Sequence, residues 1–487
     1  MIPKTILIIL LIIGLLCGFQ IALAQNDDLD LLEKIEQETK PSDGSELDLL
    51  DELAADTGAT PSKNPWLEIS RKLVDNVAGS LRFRSMFYTR EAEERPGADL
   101  SDTHFNCLLR FNTWTGGDAW RFDVAGWLEG GNEQGVYSGV TRWFQDDAGR
   151  TERRHLEINE LSGMISKSDY DLVFGKKIFK NGLSTLFSPA NRLLALDLID
   201  PLDPKEFGLW QVKLDYYWDQ YTLTGALLPV FDGGKIPPPS SRWTGSVIDN
   251  DPRDFDFRNV KAAAEDYPEI KPSNFGYFGR VKTTYHGWDM FFSVYDGLNP
   301  YPILKVEQRN GESTAVKQNV RVGNYATGFS TTWKKWEFHG EGLYNHSYNG
   351  KDDNYANFVG GITYIIDDLA KKVFLERIDI TIEYAFEWLI REQYATHYTE
   401  SSRNVRLGKN DIFTRIQFKY NKDLDFVYVS DFELEDNGRF NHFEANYAFG
   451  KGFSTKLAVE TFNGDDESYY GRWQRNDRVI AEIKYAF

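Results

Sequence analysis

The sequence predicts an all-β fold: a transmembrane antiparallel β-barrel of about eighteen strands, with sixteen as the alternative, behind a short acidic N-terminal extension. Three observations carry this prediction. From Val77 onward apolar residues recur at every second position, in runs longer than soluble strands. Short and long connections alternate between those runs. An export signal opens the chain, and an alternating strand with a terminal aromatic closes it.

Composition agrees. Aromatics are 15% of the 487 residues, which suits a strand-rich chain. A mean hydropathy of -0.47 excludes a polytopic helical membrane protein. A helical span needs about 20 apolar residues, and only the N-terminus offers such a stretch. The formal charge of -19 speaks against nucleic acid as a partner, because phosphate binding needs a concentrated basic surface.

Residues 1–24 read as a secretory signal. Lys4 gives the positive start, Ile6 to Leu16 the apolar run, and Ala22-Leu23-Ala24 the small-residue cleavage site. A retained membrane anchor is the alternative. Leu16 before Cys17 is too large for lipoprotein processing. Cleavage leaves Cys107 as the single cysteine, so no internal disulfide is expected.

Residues 25–63 form an acidic tail. Residues 27–56 hold twelve acids and two lysines, about half of the chain's excess charge. Within it, Asp28 to Ile35 recurs as Glu46 to Leu53, around the flexible stretch Thr39 to Ser45. Leu29, Leu31, Leu32, Leu47, Leu49 and Leu50 are candidate docking residues, in two short motifs that fold on a partner. The competing readings are a solubilising tail and a lumen plug. Residues 64–76 then suit a short amphipathic helix opened by Asn64-Pro65, with Trp66, Ile69, Leu73 and Val77 on one stripe.

Residues 77–487 carry the barrel pattern. Ile378, Ile380, Ile382, Tyr384, Phe386 and Trp388 alternate with Arg377, Asp379, Thr381, Glu383, Ala385 and Glu387. Soluble strands average about 5–6 residues, whereas a tilted membrane strand needs about 9–11. Eighteen such runs lie near 77–89, 103–115, 118–129, 153–166, 168–177, 209–219, 220–229, 274–286, 288–296, 318–333, 335–346, 354–366, 374–391, 408–420, 423–435, 438–449, 452–463 and 475–487. Connections after even-numbered runs are mostly tight. Those after odd-numbered runs include 130–152, 178–208, 230–273 and 297–317. That asymmetry is the pattern of bacterial outer-membrane barrels, and an even count lets the first and last strands pair. Val479, Ala481, Ile483, Tyr485 and Phe487 alternate to the terminus. They look like a barrel-assembly signal, in which Tyr485 and Phe487 would be read by the assembly machinery.

Residues 172–243 carry a family resemblance. Gly175-Lys176-Lys177 ends a strand. Asp197-Leu198-Ile199-Asp200-Pro201-Leu202-Asp203 follows in a loop, and later come Tyr216-Tyr217, Tyr221, Gly225, Pro229, Phe231 and Ser241-Arg242-Trp243. This stretch resembles a poorly characterised family of large proteobacterial outer-membrane barrels associated with RND-type exporters. It is more distantly similar to the alginate-export porins. The resemblance implies a barrel in a transport context. Gly175, Lys176, Asp197, Asp200, Pro201 and Asp203 are its family-like loop residues. The chain departs from the family at Asn181-Gly182, where Trp-Gly is expected, and at Asp200-Pro201, where Asn-Pro is usual.

If the apolar faces meet lipid, the opposite faces line the lumen. They present Arg82, Arg84, Arg110, Arg377, Asp379, Glu383, Glu387, Arg391, Arg415, Lys419, Asp425, Asp431 and Glu433 as candidate pore-lining residues. Rows of opposite sign would set a transverse field that orients polar solutes. The competing reading is a salt-bridged lattice filling a closed barrel. Loops 178–208 and 230–273 are candidate plugs. Asp249, Asp251, Asp254 and Asp256 lack the turn glycine and bidentate Glu of a calcium loop, so no metal is expected, and no cofactor. His155, Glu157 and Asn159 could be arranged as a hydrolase site, but no nucleophile elbow accompanies them and the chain reads as a non-enzyme.

The sequence thus predicts a porin-like outer-membrane channel for polar or amphipathic small molecules, either passive or part of an export or envelope transport system. A closed barrel serving as a docking platform is the alternative, and an outer-membrane hydrolase the third reading. The expected partners are outer-membrane lipid, the barrel-assembly machinery and a periplasmic or inner-membrane transport component.

Overall fold

The computed structural model describes residues 72–92, 98–133, 136–137, 153–238, 240–244, 261–262, 268–309, 312–465 and 468–487. The export signal, the acidic tail with its paired leucine motifs, most of the 64–76 helix and the aspartates of 249–256 lie outside them. Residues 72–75 are helical. They are tied to the barrel by Asn76 Nδ2, which donates to the Trp114 carbonyl at 2.9 Å.

Among the described residues the barrel has eighteen strands, so the count is eighteen rather than sixteen. They are β1 (Ala78–Tyr88), β2 (Thr103–Gly117), β3 (Trp120–Gly131), β4 (Leu156–Ser166), β5 (Tyr170–Lys177), β6 (Leu209–Trp218), β7 (Tyr221–Leu228), β8 (Gly276–Tyr285) and β9 (Trp288–Leu298). Then follow β10 (Arg321–Trp333), β11 (Trp336–Ser347), β12 (Asn354–Ile366), β13 (Arg377–Arg391), β14 (Asn410–Lys419), β15 (Leu424–Glu433), β16 (Arg439–Gly450), β17 (Phe453–Asn463) and β18 (Arg478–Ala486). Each matches one run of the sequence, with no boundary shifted by more than three residues.

Each strand pairs antiparallel with its neighbour in the chain, and β1 pairs with β18. Gly79 and Phe487 complete the seam by exchanging two backbone hydrogen bonds at 3.0 Å. Closure satisfies every ladder and leaves no open edge, which is what lets strands cross hydrocarbon.

The pleat then sorts side chains by face. Phe83, Phe174, Leu214, Phe292, Phe329, Ile382 and Leu457 are exposed on the outside, whereas Arg84, Thr224, Ser293, Glu341 and Glu460 are buried on the inside. A continuous greasy exterior of this extent belongs against lipid. No described helix is long and apolar enough to cross a membrane; the strands do so. Trp218, Tyr221, Tyr285, Trp288, Trp333 and Phe453 stand exposed near the tight turns, as an interfacial aromatic girdle requires.

At that end Asp219, His286, Lys334 and Lys451 have positive φ, the left-handed geometry that two-residue hairpins use. One connection there is not tight. Residues 367–376 include a helical turn, Asp368–Lys372.

Cys107 pairs with Phe83, which is 48% exposed on the outer face. A bilayer-soluble maleimide should therefore label Cys107, and a charged impermeant one should not. Rapid labelling by the charged reagent would mean that β2 is slipped by one residue, because a slip exchanges the faces.

The sequence expects the long loops to face outward from the cell, with Gly233 and Gly311 as accessible tag sites, and the structure corrects the first of these. Gly233 is not an exposed loop position; it is buried in a segment folded into the barrel. Gly311 lies outside the described residues. Ile270, 53% exposed, is the better site at the long-loop end. A tag there should be accessible on intact cells and a tag at Gly287 protected. The reverse pattern would invert the orientation.

Candidate pore constriction

The segment from Ile178 to Gly208 leaves the wall at β5, crosses the barrel and returns. What holds its outward half is a pair of wall carboxylates. Glu341 on β11 accepts from the backbone N–H groups of Leu183 and Ser184, from Ser188 Oγ at 2.8 Å and from Ala190 N–H at 3.3 Å. Glu383 on β13 accepts from the N–H groups of Thr185, Leu186 and Phe187 at 2.9, 2.9 and 2.8 Å. His339 Nε2 lies 2.8 Å from Glu383 Oε1. Asn181 Nδ2 adds a bond to Ser293 Oγ at 2.8 Å, and Phe187 stacks on Phe413 at 5.4 Å.

A turn without a regular ladder must satisfy its backbone donors elsewhere, and here the wall supplies charged acceptors. Two glycines make room. A Cβ at Gly182 would lie 1.8 Å from Ser188 Oγ, and one at Gly361 on the intervening β12 would lie 2.3 Å from His339 Nε2.

The returning half is held by carboxylates spaced three residues apart. Asp197 accepts from Arg153 Nε at 2.9 Å. Asp200 takes both terminal nitrogens of Arg478, at 2.9 and 3.2 Å. Asp203 pairs with Arg82 and Arg84, each at 2.9 Å. Lys205 pairs with Glu129, and Gly208 N–H donates to Asn159 Oδ1 at 2.8 Å.

The family-like motif is thus a row of anchors onto a basic wall. Asp200 brings the charge that meets Arg478. Burial pushes Asp203 upward, but Arg84 and Arg82 outweigh it and hold its carboxyl well below the usual range. Burial, reinforced by the charge of Arg153, pulls the Lys205 amine down to about 8. Gly175 and Lys176 sit beside this anchor row. Gly175 has φ +110°, and Lys176 Nζ donates to Glu157 Oε1 at 2.9 Å.

A second segment folds inward beside the first. Lys235 N–H donates to the Leu196 carbonyl at 2.9 Å. Arg242 donates to the carbonyls of Arg90, Ser101 and Arg475 at 2.7, 3.2 and 3.0 Å. Trp243 packs with Phe440, Phe462, Tyr470 and Trp473.

The inward parity of the sequence-named charges is as expected, but most do not face open water. Arg82, Arg84, Glu383, Asp431 and Glu433 are buried. The side chain of Glu387 is buried against Arg406, which reaches it at 2.7 and 2.8 Å. Tyr470 donates its hydroxyl to Asp431 at 2.6 Å and its N–H to Glu433 at 2.9 Å. Arg377 pairs with Asp379. Arg415 reaches Gln417 at 3.2 Å, and Asp425 accepts from Gln417 at 3.3 Å. Lys419 is half-buried at the turn end. Arg391 lies over the Tyr394 ring at 3.9 Å near the long-loop rim.

Arg110 lines a half-open cavity of about 890 Å³ between the crossing segment and the wall. Lys180, Arg192, Lys205, Glu206, Tyr301, Leu343, Tyr355 and Asn357 also line it.

Parity alone would have placed Glu341, Arg478 and Glu129 inward. Their partners were out of reach of sequence reasoning, because Asp200 and Arg478 are 278 residues apart. The residues considered for hydrolysis are committed elsewhere. His155 Nδ1 contacts the Glu129 carbonyl at 2.9 Å, Glu157 binds Lys176, and Asn159 binds Gly208.

No family model and no curated protein matches the chain. Solved structures similar to it include OccK5 (OpdH) of Pseudomonas aeruginosa, at 13% identity and TM-score 0.45, covering 85% of this chain and 98% of that one. OccK8 (OprE) of the same organism matches at 11% and 0.44, with the same coverages. The outer membrane channel DcaP of Acinetobacter baumannii matches at 10% and 0.38, covering 85% and 96%.

Proposed function

We propose that the chain is an outer-membrane channel for small polar or amphipathic molecules, narrowed by residues 178–208. The observation that supports this most is the cavity of about 890 Å³, lined by both polar and apolar side chains, inside a closed barrel with a greasy exterior. Barrels of 16–18 strands leave an aqueous channel unless something fills them. Here the filling segment packs on Leu108 of β2 and leaves a cavity beside Arg110. A role as the outer-membrane part of an export system extends this reading, through the family resemblance of residues 172–243.

The alternative is a closed barrel acting as a docking platform. The buried ion pairs around Arg478 and Arg406 favour it, since they resemble a lattice that seals rather than conducts. Planar-bilayer recording of purified protein separates the two: discrete conductance steps support the channel, and their absence in correctly folded protein supports the platform.

The acidic tail belongs to the same proposal as a tether that recruits a periplasmic or inner-membrane transport component. Deleting 26–58 should leave heat-modifiable mobility intact and abolish co-purification of that component. A large conductance gain with unchanged partners would make the tail a plug instead.

A further inference from the structure

The one long connection at the tight-turn end carries a surface that the barrel does not use. Its helical turn, Asp368–Lys372, is pinned by the Ala370 carbonyl, which accepts from the N–H groups of Val373 and Leu375 at 3.0 and 2.9 Å. Around this pin Leu369 and Val373 are more than half exposed, and Phe374 is 85% exposed. Phe374 has φ 63°, a conformation that bulky residues rarely adopt. The connection starts beyond Tyr364, whose ring meets Trp336 at 4.2 Å, and Trp336 pairs with Trp333 of the aromatic girdle. It therefore leaves that belt on the aqueous side, where an apolar patch is unfavourable unless something covers it.

The same end is basic along one arc. The connections between β10 and β17 hold Lys334, Lys335, Lys371, Lys372, Lys422 and Lys451 against Asp367, Asp368, Glu376 and Asp423. Lys335 alone holds two of those acids, Asp367 at 3.2 Å and Asp368 at 3.6 Å. Lys371, Lys372, Lys422 and Lys451 are exposed and have no carboxylate partner among the described residues. The tight turns of the other arc, from β2 to β9, carry Lys167 against Asp118, Asp169 and Asp219. The basic character is thus confined to the side that holds the apolar patch.

A surface both apolar and basic is matched by a segment both apolar and acidic, and the chain holds one in its own tail. Asp28 to Ile35 and Glu46 to Leu53 each mix leucines with carboxylates. The tail leaves the barrel at this same end, because β1 begins at Ala78 opposite Asn112, near the turn that follows Gly117. The patch lies six ladder steps from β1 through β18, about 29 Å at ~4.8 Å per strand. Residues 54–76 separate the second motif from the barrel, and an unstructured chain of that length spans roughly 24–29 Å root-mean-square.

We propose that the helical turn and its lysine arc dock the leucine motifs of the tail. Leu47, Leu49 and Leu50 cover Leu369, Val373 and Phe374, while Asp48 and Asp51 meet Lys371 and Lys372. Tethering sets an effective concentration in the millimolar range, so weak contacts suffice, and the copy at Asp28 to Ile35 is a second ligand for the same surface. The docked tail lies along the rim and does not fill the lumen. This docking needs neither conduction nor a recruited component, since it describes the tail of the lone barrel.

The test uses purified full-length protein carrying the photoreactive substitution Phe374→p-benzoyl-phenylalanine, which keeps an aromatic ring at the patch. After irradiation the product should run as a monomer, and peptide mass spectrometry should place the cross-link within residues 26–58. Lys371→Glu with Lys372→Glu should lower the yield at least about threefold, because attractive pairs become repulsive. Adding Glu46→Lys, Asp48→Lys and Asp51→Lys to that variant should restore the cross-link at residues 46–53. Heat-modifiable mobility reports whether each variant is folded.

A cross-link to lipid, a dimer-sized product, no product within residues 26–58, or a yield unmoved by charge reversal in folded protein would each overturn the proposal. So would failure of the reversed tail to restore the cross-link. Co-purification after deletion of 26–58 tests recruitment of a transport component, so the two readings of the tail can fail separately.

Discussion

Replacing Glu341 and Glu383 together by alanine is expected to convert a constricted pore into a wide one. Six backbone N–H groups between Leu183 and Ala190 end on these two carboxylates. Hydrogen bonds to charged groups contribute about 1.5–3 kcal/mol each, although not additively. Without them the crossing segment keeps the Asn181–Ser293 bond and apolar packing against Phe413, Leu343 and Tyr355, but no charged acceptor for its backbone on that wall. Single-channel conductance should rise roughly two- to fivefold, because an unfilled barrel of this strand number is wide enough for an open channel. Glu383→Gln, which keeps an acceptor oxygen but loses the charge, should give an intermediate and noisier current. The anchors of the returning half are untouched, so heat-modifiable mobility should persist. Unchanged conductance in the folded double variant would place the bottleneck elsewhere, for instance at the segment around Trp243.

Arg478→Ala is expected to be the most destabilising single change in the barrel interior. Arg478 is 1% exposed and serves Asp200 and Glu460 together. Removing it leaves the buried Asp200 carboxylate without a cation and Glu460 with His442 alone, and breaking a buried pair costs about 3–5 kcal/mol. Urea titration of the heat-modifiable species should show the midpoint falling accordingly. Arg478→Leu combined with Asp200→Leu should recover part of the loss, since one uncompensated charge is gone. A double variant no better than the sum of its singles would mean that the two side chains do not interact.

The neighbouring anchor should resist acid. Asp203 lies in the loop, and its folded value is depressed. Its contribution is therefore complete above the unfolded value, roughly 3.9, and is lost only as pH falls through the much lower folded one. The Asp203 anchor should stay closed at pH 4, measurable as unchanged protease protection of the loop.

Sequence and structure divide the account of this protein along one physical line. The apolar period of two fixes the strands, their outward faces and their lipid contact, because pleat and side-chain direction are local properties of the backbone. Ile378 to Trp388 reads the same way in either representation. The alternation of connection lengths likewise fixes which loops share an end. Even the inward direction of Arg82, Glu383 and Asp431 was legible.

What those charges do there was not legible. A lumen-facing arginine reads alike whether water or a loop carboxylate meets it. Arg82 and Asp203 are 121 residues apart, and Glu383 lies 196 residues from Phe187. Only the folded path of residues 178–208, set by closure of the barrel around it, decides that these rows anchor a constriction. The same path decides that Arg110 and Arg192 line the cavity without a carboxylate partner among the described residues.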